Sequence, residues 1–372
     1  MSKAIRLGVL FGGRSGEHAV SLSSAKSVLD TLDRDKYQVI QIGISQDGDW
    51  LVGEDVLAAL SSGNPKDLSQ AVMFPIPSRP EIYKLITVEG SYRLDLLAEL
   101  DVIFPVLHGS YGEDGTMQGL FELNDLAYVG AGVLGSAVGM DKALFKDVMK
   151  ANHIPVAPSI MVRRIELEDM NAVLDRVIAF DHFPLFVKPA NMGSSVGVSK
   201  CRDIEEAATG ILDAAHYDRR ILIEKGINGR EIELSVLGNN QPRVSIPGEV
   251  RPAAEFYSYE AKYHDESSEL IIPAPLDEEQ VTKLQTYALQ AYQAIDCAGM
   301  ARVDFLVDKD SGEIYLNEVN TIPGFTPISM YPKLWEASGL PYADLIEELI
   351  DLALERKMER DQITRKYEFG SH

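Results

Sequence analysis

The first third of the chain alternates between apolar runs and a helical pattern. Residues 5–11 (IRLGVLF), 37–45 (YQVIQIGIS) and 101–109 (DVIFPVLHG) are almost continuously apolar, which is typical of strands buried on both faces of a sheet. The segment SLSSAKSVLDTLD after the first run has the spacing of a helix, and residues 128–132 (YVGAG) end the series. Strands separated by helices predict a doubly wound parallel sheet.

Two further features of this region concern its ligand site and the segment between residues 48 and 95. Ligands bind doubly wound sheets outside the carboxyl ends of the strands, and Gly12, Gly13 and His108 lie at such ends. Between residues 48 and 95 the periodic pattern is weak. We therefore expect an insertion of loops and short strands there.

The remaining two thirds of the chain predict two smaller α+β regions. Residues 141–153 have a helical pattern that stops at the prolines of IPVAP, and strands are predicted at 183–189 and 220–225. Further strands follow from Arg230 onward. The chain is therefore divided into regions 1–140, 141–229, 230–365 and 366–372. The last of these ends in EFGSH, which is typical of a cloning scar.

Residues 302–320 (RVDFLVDKDSGEIYLNEVN) predict a hairpin, because two β-rich runs flank a turn-forming KDSGE. We expect Asp308 to lie opposite Ile314. That register places four polar side chains on one face with Leu306. They are Arg302, Asp304, Glu318 and Asn320. Like charges opposite each other destabilise a strand pair. The face is therefore either a solvated surface neutralised by the arginine or a Mg²⁺ site completed by phosphate oxygens.

The composition limits the partners of the chain. Its 372 residues carry a formal net charge of −22, which repels nucleic acid and anionic membranes. A phosphate ligand therefore needs a local cluster of Lys, Arg and backbone N–H groups. No apolar run reaches the length of a membrane span, and no signal peptide is recognisable. With Cys201 and Cys297 as the only cysteines, we expect free thiols and a cytoplasmic location.

Two segments could supply groups for a nucleotide. Lys188 precedes the small-residue loop 193–197 (GSSVG), whose N–H and hydroxyl groups suit phosphate. The loop is not a Walker A motif, and a flexible surface loop explains it equally well. In ILIEKGINGREIE, Glu224 and Glu231 could accept hydrogen bonds from an adenine amine or from ribose hydroxyls. A solvated turn is the simpler alternative.

Two loops are candidates for lids, and one turn is a candidate oxyanion donor. Residues 251–270 form a long polar loop that contains Lys262 and Tyr263, and loops of this length often cover binding sites. Residues 191–198 are the second lid candidate. The Pro-Gly turn after the hairpin would place the Gly324 N–H beside the carboxylates, where an oxyanion could form.

Eight motifs in order resemble the D-alanine–D-alanine ligases of the ATP-grasp superfamily. They are GGRSGEHAVS, LHGSYGEDGTMQG, MDK, KPANMGSSVGVS, EKGINGREIE, EAKY, RVDF and NEVNTIPGFTPIS. The resemblance implies a three-domain ATP-grasp fold, α/β and α+β in class. Residues 1–140 would form a Rossmann-like substrate domain, and regions 141–229 and 230–365 would be α+β domains that clamp ATP between them.

The resemblance also implies the activity. The expected enzyme makes the D-Ala-D-Ala dipeptide of peptidoglycan precursors through a D-alanyl phosphate and releases ADP and phosphate. It would be a cytoplasmic homodimer. A D-alanine–D-lactate ligase or another ATP-grasp carboxylate–amine ligase is the alternative. The EAKY motif is intact, which favours an amine as the acceptor.

Residues that match the family's ATP and metal sites follow from the same resemblance. Those expected to contact ATP are Lys142, Lys188, Ser195, Glu224, Lys225, Ile227, Glu231 and Lys262. Two Mg²⁺ (or Mn²⁺) ions would be held by Asp304, Glu318 and Asn320. A role for a monovalent cation is left open.

Residues that match the family's amino-acid sites complete the set. Glu17 would pair with the ammonium group of the first D-alanine, with His108 nearby. The carboxylate of the second D-alanine would be held by Lys262, Ser329 and the backbone around Met330. Ser194 and Tyr263 would hydrogen-bond toward Glu17 and fasten the lid, while Arg302 and the Gly324 N–H would stabilise the oxyanion.

Overall fold

The structure is a computed structural model, and it describes residues 4–77, 79–251 and 269–364. The described part contains three sheets, which follow one another along the chain. Each has helices packed against it.

The first sheet has eight strands in the order β6-β5-β4-β3-β2-β1-β7-β8. They are β1 (Ile5–Gly12), β2 (Tyr37–Ile44), β3 (Trp50–Val52), β4 (Ser69–Met73), β5 (Glu81–Val88), β6 (Ser91–Glu99), β7 (Val102–Leu107) and β8 (Ala127–Tyr128). The pairs β1–β2, β1–β7 and β7–β8 are parallel, as the apolar runs predicted. The other pairs are antiparallel.

One expectation for this region is wrong, and a second is met only in part. The segment between residues 48 and 95 contains more than loops and short strands, because β5 and β6 are eight and nine residues long and form a hairpin. The apolar run 128–132 contributes only the end of the short strand β8. The chain turns there into a helix, since Gly130 has a φ of +95°. The helices are α1 (His18–Thr31), α2 (Val56–Ser61), α3 (Thr116–Leu123) and α4 (Val133–Met140), with a 3₁₀ turn at Pro65–Asp67.

The second sheet is small and antiparallel, with strand order β11-β10-β12-β9. Its strands are β9 (Ser159–Arg163), β10 (Leu185–Pro189), β11 (Ser199–Cys201) and β12 (Arg220–Lys225). Its helices are α5 (Lys142–Ala151), α6 (Met170–Phe180) and α7 (Ile204–Tyr217), with a 3₁₀ stretch at Arg164–Asp169. Each helix begins after an aspartate whose carboxylate accepts backbone N–H groups of the first turn, namely Asp141, Asp169 and Asp203.

The third sheet has six strands, in the order β16-β15-β13-β17-β18 with β14 paired to β13. They are β13 (Gly229–Leu237), β14 (Arg243–Val244), β15 (Gly248–Arg251), β16 (Glu269–Ile271), β17 (Met300–Asp308) and β18 (Ile314–Asn320). The helices are α8 (Glu278–Ala294), α9 (Met330–Ala337) and α10 (Tyr342–Asp361). Asp277 and Gln280 form a capping box at the start of α8.

The β17–β18 hairpin has the predicted polar face but not the predicted turn. Ile314 lies opposite Val307 rather than Asp308. A bulge at Asn317 adds one residue to β18, so Asp304 still lies opposite Glu318 and Arg302 opposite Asn320. The bulge compensates for the shifted turn and keeps the acidic side chains on one face.

The first and third sheets share one hydrophobic core. Side chains of β1 and β7 pack with the closing helix α10 and with residues of the segment before it. Phe325 lies at this junction, with its ring 5.8 Å from that of Phe104 and 5.6 Å from that of Tyr342. The Tyr342 hydroxyl donates to the Phe325 carbonyl over 2.6 Å. The beginning and the end of the described chain are therefore packed together.

Two further observations concern the composition. Cys201 and Cys297 are both free and buried, as expected. Among the helices that the structure describes, none has the length and apolar character that crossing a bilayer requires.

We predict that Phe325→Ala lowers the free energy of unfolding by about 3–5 kcal/mol, because a fully buried ring is lost from the junction of the two sheets. Urea unfolding measures the change. Ile328→Ala, at an exposed position three residues on, is the control and should cost less than about 0.5 kcal/mol. A cost below about 1 kcal/mol for Phe325→Ala would mean that the junction contributes little to stability.

Candidate active site

Glu17 lies in a tight corner at the carboxyl end of the parallel strands. It directly precedes α1 and is buried. Its N–H donates to the Ser15 hydroxyl over 3.2 Å, and that hydroxyl donates to the His108 carbonyl over 2.8 Å. Gly109 has a φ of +76°, and a Cβ there would lie 2.4 Å from the Glu17 carboxylate. Only glycine therefore allows this backbone to approach Glu17 so closely.

His108 connects this corner to the third sheet. Its Nδ1 lies 2.9 Å from the Ile322 carbonyl, and its Nε2 lies 3.2 Å from the Ser24 hydroxyl. That hydroxyl accepts the Phe325 N–H over 3.2 Å. Burial lowers the pKa of His108, so the ring is neutral with its proton on Nδ1. Both ring nitrogens are thus used to hold the 322–325 segment against the first sheet.

Glu113, which the sequence analysis did not single out, is a second carboxyl group beside Glu17. It is buried, and its Oε2 accepts the Gly109 N–H over 2.6 Å. Burial, and then the nearby charge of Glu17, raise the pKa of Glu113 well above its ordinary value. The neutral form of Glu113 is therefore favoured more strongly here than it is in water.

The 191–198 loop covers Glu17 from the second sheet. A Cβ at Gly193 would lie 3.2 Å from the Glu17 carboxylate and 3.7 Å from Gly109. The Lys142 ammonium donates to the Met192 carbonyl over 2.7 Å and thereby ties the loop to the start of α5. Ser194 and Ser195 have backbone φ values of +51° and +57°, which residues other than glycine rarely adopt. The loop is therefore a tight structure over Glu17 rather than a loose surface segment.

The polar face of the third sheet is a row of carboxylates on three adjacent strands. Asp304 of β17 lies between Glu233 of β13 and Glu318 of β18. The half-buried Arg302 guanidinium donates to both oxygens of Asp304, over 2.8 and 2.7 Å, and lies 2.9 Å from Glu233. Burial lowers the pKa of Arg302, but Asp304 and Glu233 outweigh it and raise that pKa well above its ordinary value. One cation thus binds two of the three carboxylates in the row.

This face fits a metal ion that arrives with phosphates, not a free-standing metal site. Within the described ranges, no three His, Cys, Asp or Glu side chains are arranged to hold a metal ion alone. Asp304 and Glu318 offer oxygens across the hairpin, and Asn320 lies opposite Arg302, with its Oδ1 accepting the Ile322 N–H over 3.2 Å. Hard divalent cations take about six oxygens, so phosphate and water must supply the rest.

A buried charge cluster occupies the second sheet. The Glu224 carboxylate lies 3.1 Å from the Lys188 ammonium and 2.9 Å from that of Lys146. Burial raises the pKa of Glu224, but Lys188 and Lys146 outweigh that effect and lower it, so the carboxylate is ionised. Lys146 is a second residue that the sequence analysis missed. Its signal was its place one turn after Lys142 on α5, where (i, i+4) side chains share a face.

Three further residues expected to contact ATP lie at the end of β12, in the link after it and on β13. The Lys225 N–H donates to the Pro158 carbonyl over 3.0 Å, so that N–H is not available to an adenine. Ile227 lies half-buried in the link between β12 and β13. Glu231 lies on β13 opposite Leu306, on the same face as Asp304.

The 322–330 segment brings Gly324 and Ser329 together. A Cβ at Gly324 would lie 3.1 Å from the Ser329 hydroxyl. That hydroxyl accepts the Thr326 N–H over 3.2 Å and lies 2.8 Å from the Thr326 hydroxyl. Met330 is buried at the start of α9 beside Val250. Lys262 and Tyr263 lie outside the described residues, so their positions stay predictions.

Two family models match the chain. The model described as the D-ala D-ala ligase N-terminus matches residues 6–131, and that described as the D-ala D-ala ligase C-terminus matches residues 148–351. A D-alanine–D-alanine ligase of Natranaerobius thermophilus is 48% identical over 362 residues, which cover 97% of this chain and 98% of the relative. Another, from Ruminiclostridium cellulolyticum, is 49% identical over 367 residues and 96% of each chain.

Solved structures are similar over nearly the full length. The VanG D-Ala:D-Ser ligase from Enterococcus faecalis has a TM-score of 0.83 at 35% identity, covering 94% of this chain and 100% of that one. The D-alanine–D-alanine ligase from Coxiella burnetii has a TM-score of 0.80 at 34% identity, covering 97% of both. These similarities confirm the fold class predicted from the sequence.

The raised pKa of Glu113 predicts how the stability of the fold depends on pH. Its pKa is raised in the folded protein, so its contribution to stability is complete below about pH 4.5 and is lost as the pH rises through the folded-state pKa. Glu113→Gln stays neutral throughout. The free energy of unfolding of the parent minus that of the variant should therefore fall between pH 5 and pH 8, by up to about 1.4 kcal/mol per pH unit.

Urea titrations at several pH values measure this difference. The exposed Asp47→Asn is the matched control for loss of one carboxylate. A difference for Glu113→Gln that stays constant from pH 5 to pH 8 would mean that Glu113 is ionised in the folded protein.

Proposed function

The chain belongs to the D-alanine–D-alanine ligase family, and we propose that it joins two molecules of D-alanine while converting ATP to ADP and phosphate. It is an ATP-dependent ligase. One structural observation supports the substrate assignment best. The His108–Ile322 contact brings Glu17, which suits an ammonium group, to the end of the strand that carries Glu318 and Asn320.

ATP would lie between the second and third sheets. Lys142 and Lys188 provide the positive charge for its phosphates, and the backbone of Ser195 provides further donors. Glu224 is ionised and can accept from the adenine amine. The backbone of Ile227 would complete adenine recognition, together with the Lys225 carbonyl, and Glu231 would accept from the ribose. Lys262 would approach the phosphates from the loop above.

The family uses a divalent metal with ATP. We propose two Mg²⁺ (or Mn²⁺) ions held by Asp304, Glu318 and Asn320 together with phosphate oxygens. When bound, such ions neutralise phosphate charge during transfer of the γ-phosphoryl group. A monovalent cation is a further candidate ligand of this site.

The residues of the site are suited to both steps of the reaction. A carboxylate is a poor acyl donor, and phosphoryl transfer to the first D-alanine converts it into a D-alanyl phosphate. Attack by the second amine on that carbonyl forms a tetrahedral oxyanion, and loss of phosphate leaves the dipeptide. Arg302 and the Gly324 N–H are the donors proposed to stabilise the oxyanion. The loop over Glu17 would keep water from the acyl phosphate.

The two D-alanine molecules would occupy opposite ends of this site. Glu17 would pair with the ammonium group of the first, with His108 holding the surrounding backbone. Ser194 and Tyr263 would hydrogen-bond toward Glu17 when the lid is closed. Lys262, Ser329 and the N–H at Met330, which begins α9, would hold the carboxylate of the second, since helix N-termini favour anions.

The product places the enzyme in peptidoglycan precursor synthesis. We propose a cytoplasmic location because the reaction consumes ATP, and a homodimeric assembly by analogy with the family. The alternative acceptor is D-lactate, which would make the enzyme a D-alanine–D-lactate ligase. D-serine is a further acceptor to test, because the VanG structure is a D-Ala:D-Ser ligase.

Mass spectrometry of the product formed from ATP, Mg²⁺ and D-alanine tests the proposal. D-alanyl–D-alanine with one ADP per dipeptide is expected. Competition of D-alanine with D-lactate and with D-serine at neutral pH identifies the preferred acceptor. Phosphate release that does not require D-alanine would contradict the ligase assignment.

Asp304→Asn and Glu318→Gln should each lower kcat at least about 100-fold and weaken Mg²⁺-dependent ADP binding, because each removes a charged oxygen donor. Circular dichroism should show that the fold survives. Asp310→Asn, in the exposed turn of the same hairpin, is the control and should retain activity. Parent-like turnover of either site variant would remove that residue from the metal site.

Tyr263→Phe should raise the use of D-lactate relative to D-alanine about tenfold, because the hydroxyl would no longer favour an amine acceptor. Competition kinetics with both acceptors measure this ratio. Tyr257→Phe, in the same loop, is the matched control. An unchanged ratio would exclude Tyr263 from acceptor selection.

A further inference from the structure

Glu224 is a buried carboxylate that binds two lysines through different oxygens. Its Oε1 lies 3.1 Å from the Lys188 ammonium, and its Oε2 lies 2.9 Å from that of Lys146. Ser159, directly opposite Glu224 on β9, is uncharged. Buried charges are normally paired one to one, because each unpaired charge is costly to take out of water. The cluster therefore has one cation more than the carboxylate requires.

The two lysines differ in how firmly they are held. Lys146 lies on α5 and is 2% exposed, and its ammonium also donates to the Ala157 carbonyl over 3.2 Å. Lys188 lies on β10 with 15% of its side chain exposed, and its ammonium lies 5.7 Å from the centre of the Phe186 ring. Lys146 is therefore fixed in the interior, whereas Lys188 can change its partner by a side-chain rotation.

The proposed nucleotide site gives Lys188 two partners. Lys188 would bind phosphate while Glu224 accepts from the adenine amine, and a lysine that turns toward phosphate weakens its bond to Glu224. A buried carboxylate without a cation takes up a proton, because burial disfavours its charged form. Protonation would give Glu224 an O–H donor where an acceptor is needed. A second, immobile cation prevents this.

We propose that Lys146 is this cation, a positioning residue that keeps Glu224 charged for the adenine amine while Lys188 binds phosphate. The inference rests on the proposed function, because it takes the second sheet to be part of the ATP site. Lys146 does not touch the nucleotide and acts through Glu224. It also has a consequence for base selection, since a charged carboxylate accepts from the adenine amine but repels the carbonyl oxygen that guanine has in its place.

The charged groups around Glu224 determine how this role depends on pH. Lys188 faces Glu224 from β10 and Lys146 faces it from α5, while Lys150 lies one turn beyond Lys146. Burial lowers the pKa of Lys146, and the Glu224 charge opposes this shift. Removal of Lys146 should raise the pKa of Glu224, since a buried carboxylate then loses an opposite charge. Binding of an adenine nucleotide should then weaken most at low pH.

Lys146→Met tests the proposal, because it keeps an unbranched side chain and removes the charge. Isothermal titration calorimetry with ADP and with GDP, both with Mg²⁺, measures base selection. The preference for ADP over GDP should fall about tenfold or more, since a charge-assisted hydrogen bond to adenine is lost and a protonated Glu224 can donate to guanine. The loss of ADP affinity relative to the parent should shrink as the pH rises from about 6 to about 8. Lys150→Met, at an exposed position on the same helix, is the matched control and should change neither quantity.

A neutral pair provides the second variant. Lys146→Met combined with Glu224→Gln removes both members of the buried pair, so it should fold even where the single variant does not. Its ADP affinity relative to the parent should not change between about pH 6 and pH 8, because neither new side chain titrates.

The outcomes separate a charge role of Lys146 from a packing role. An unchanged ADP preference in Lys146→Met, an equal loss for both nucleotides at every pH, or failure of both variants to fold would each overturn the proposal. With a parent protein that makes D-alanyl–D-alanine, any of these results would leave the ligase proposal intact. A parent protein that binds no ADP would instead contradict the proposed function.

Discussion

The Arg302 guanidinium is the interaction on which the polar face depends. Three adjacent strands place Glu233, Asp304 and Glu318 in one row, and like charges across a sheet destabilise the pairing. Arg302 lies within the row and binds two of the three carboxylates. The sheet can therefore keep a dense set of oxygen donors in place before any nucleotide or metal arrives. The bulge at Asn317 is equally necessary, because without it the carboxylates would not share a face.

Two buried glutamates show how the surroundings assign different chemistry to the same side chain. Glu224 lies between two lysines and is ionised, which suits an acceptor of hydrogen bonds. Glu113 has Glu17 as its neighbour, and its pKa is raised. The separation of roles therefore follows from whether each burial site contains a cation.

The sequence predicts the parallel strands, the hairpin face and the residues around Glu17 because each depends on local pattern or on motif. It does not predict the lengths of β5 and β6. Residues 92–96 of β6 alternate between apolar and charged side chains, but the sequence of β5 shows no such alternation. Glu113 was missed because nothing in GEDG indicates burial, which depends on tertiary contacts such as the one with the Ile322 backbone from the far end of the chain. The register of the hairpin was missed by one residue because a bulge has no sequence signal as clear as that of a turn.

The packing of α10 against β1 and β7 has a consequence for synthesis in the cell. The apolar face of the first sheet that α10 covers is complete only when the last helix has been translated. A nascent chain therefore carries this face uncovered while the second and third sheets are being made. During that interval the growing polypeptide should be a client for chaperones that bind apolar surface, and a chain truncated before α10 should remain one.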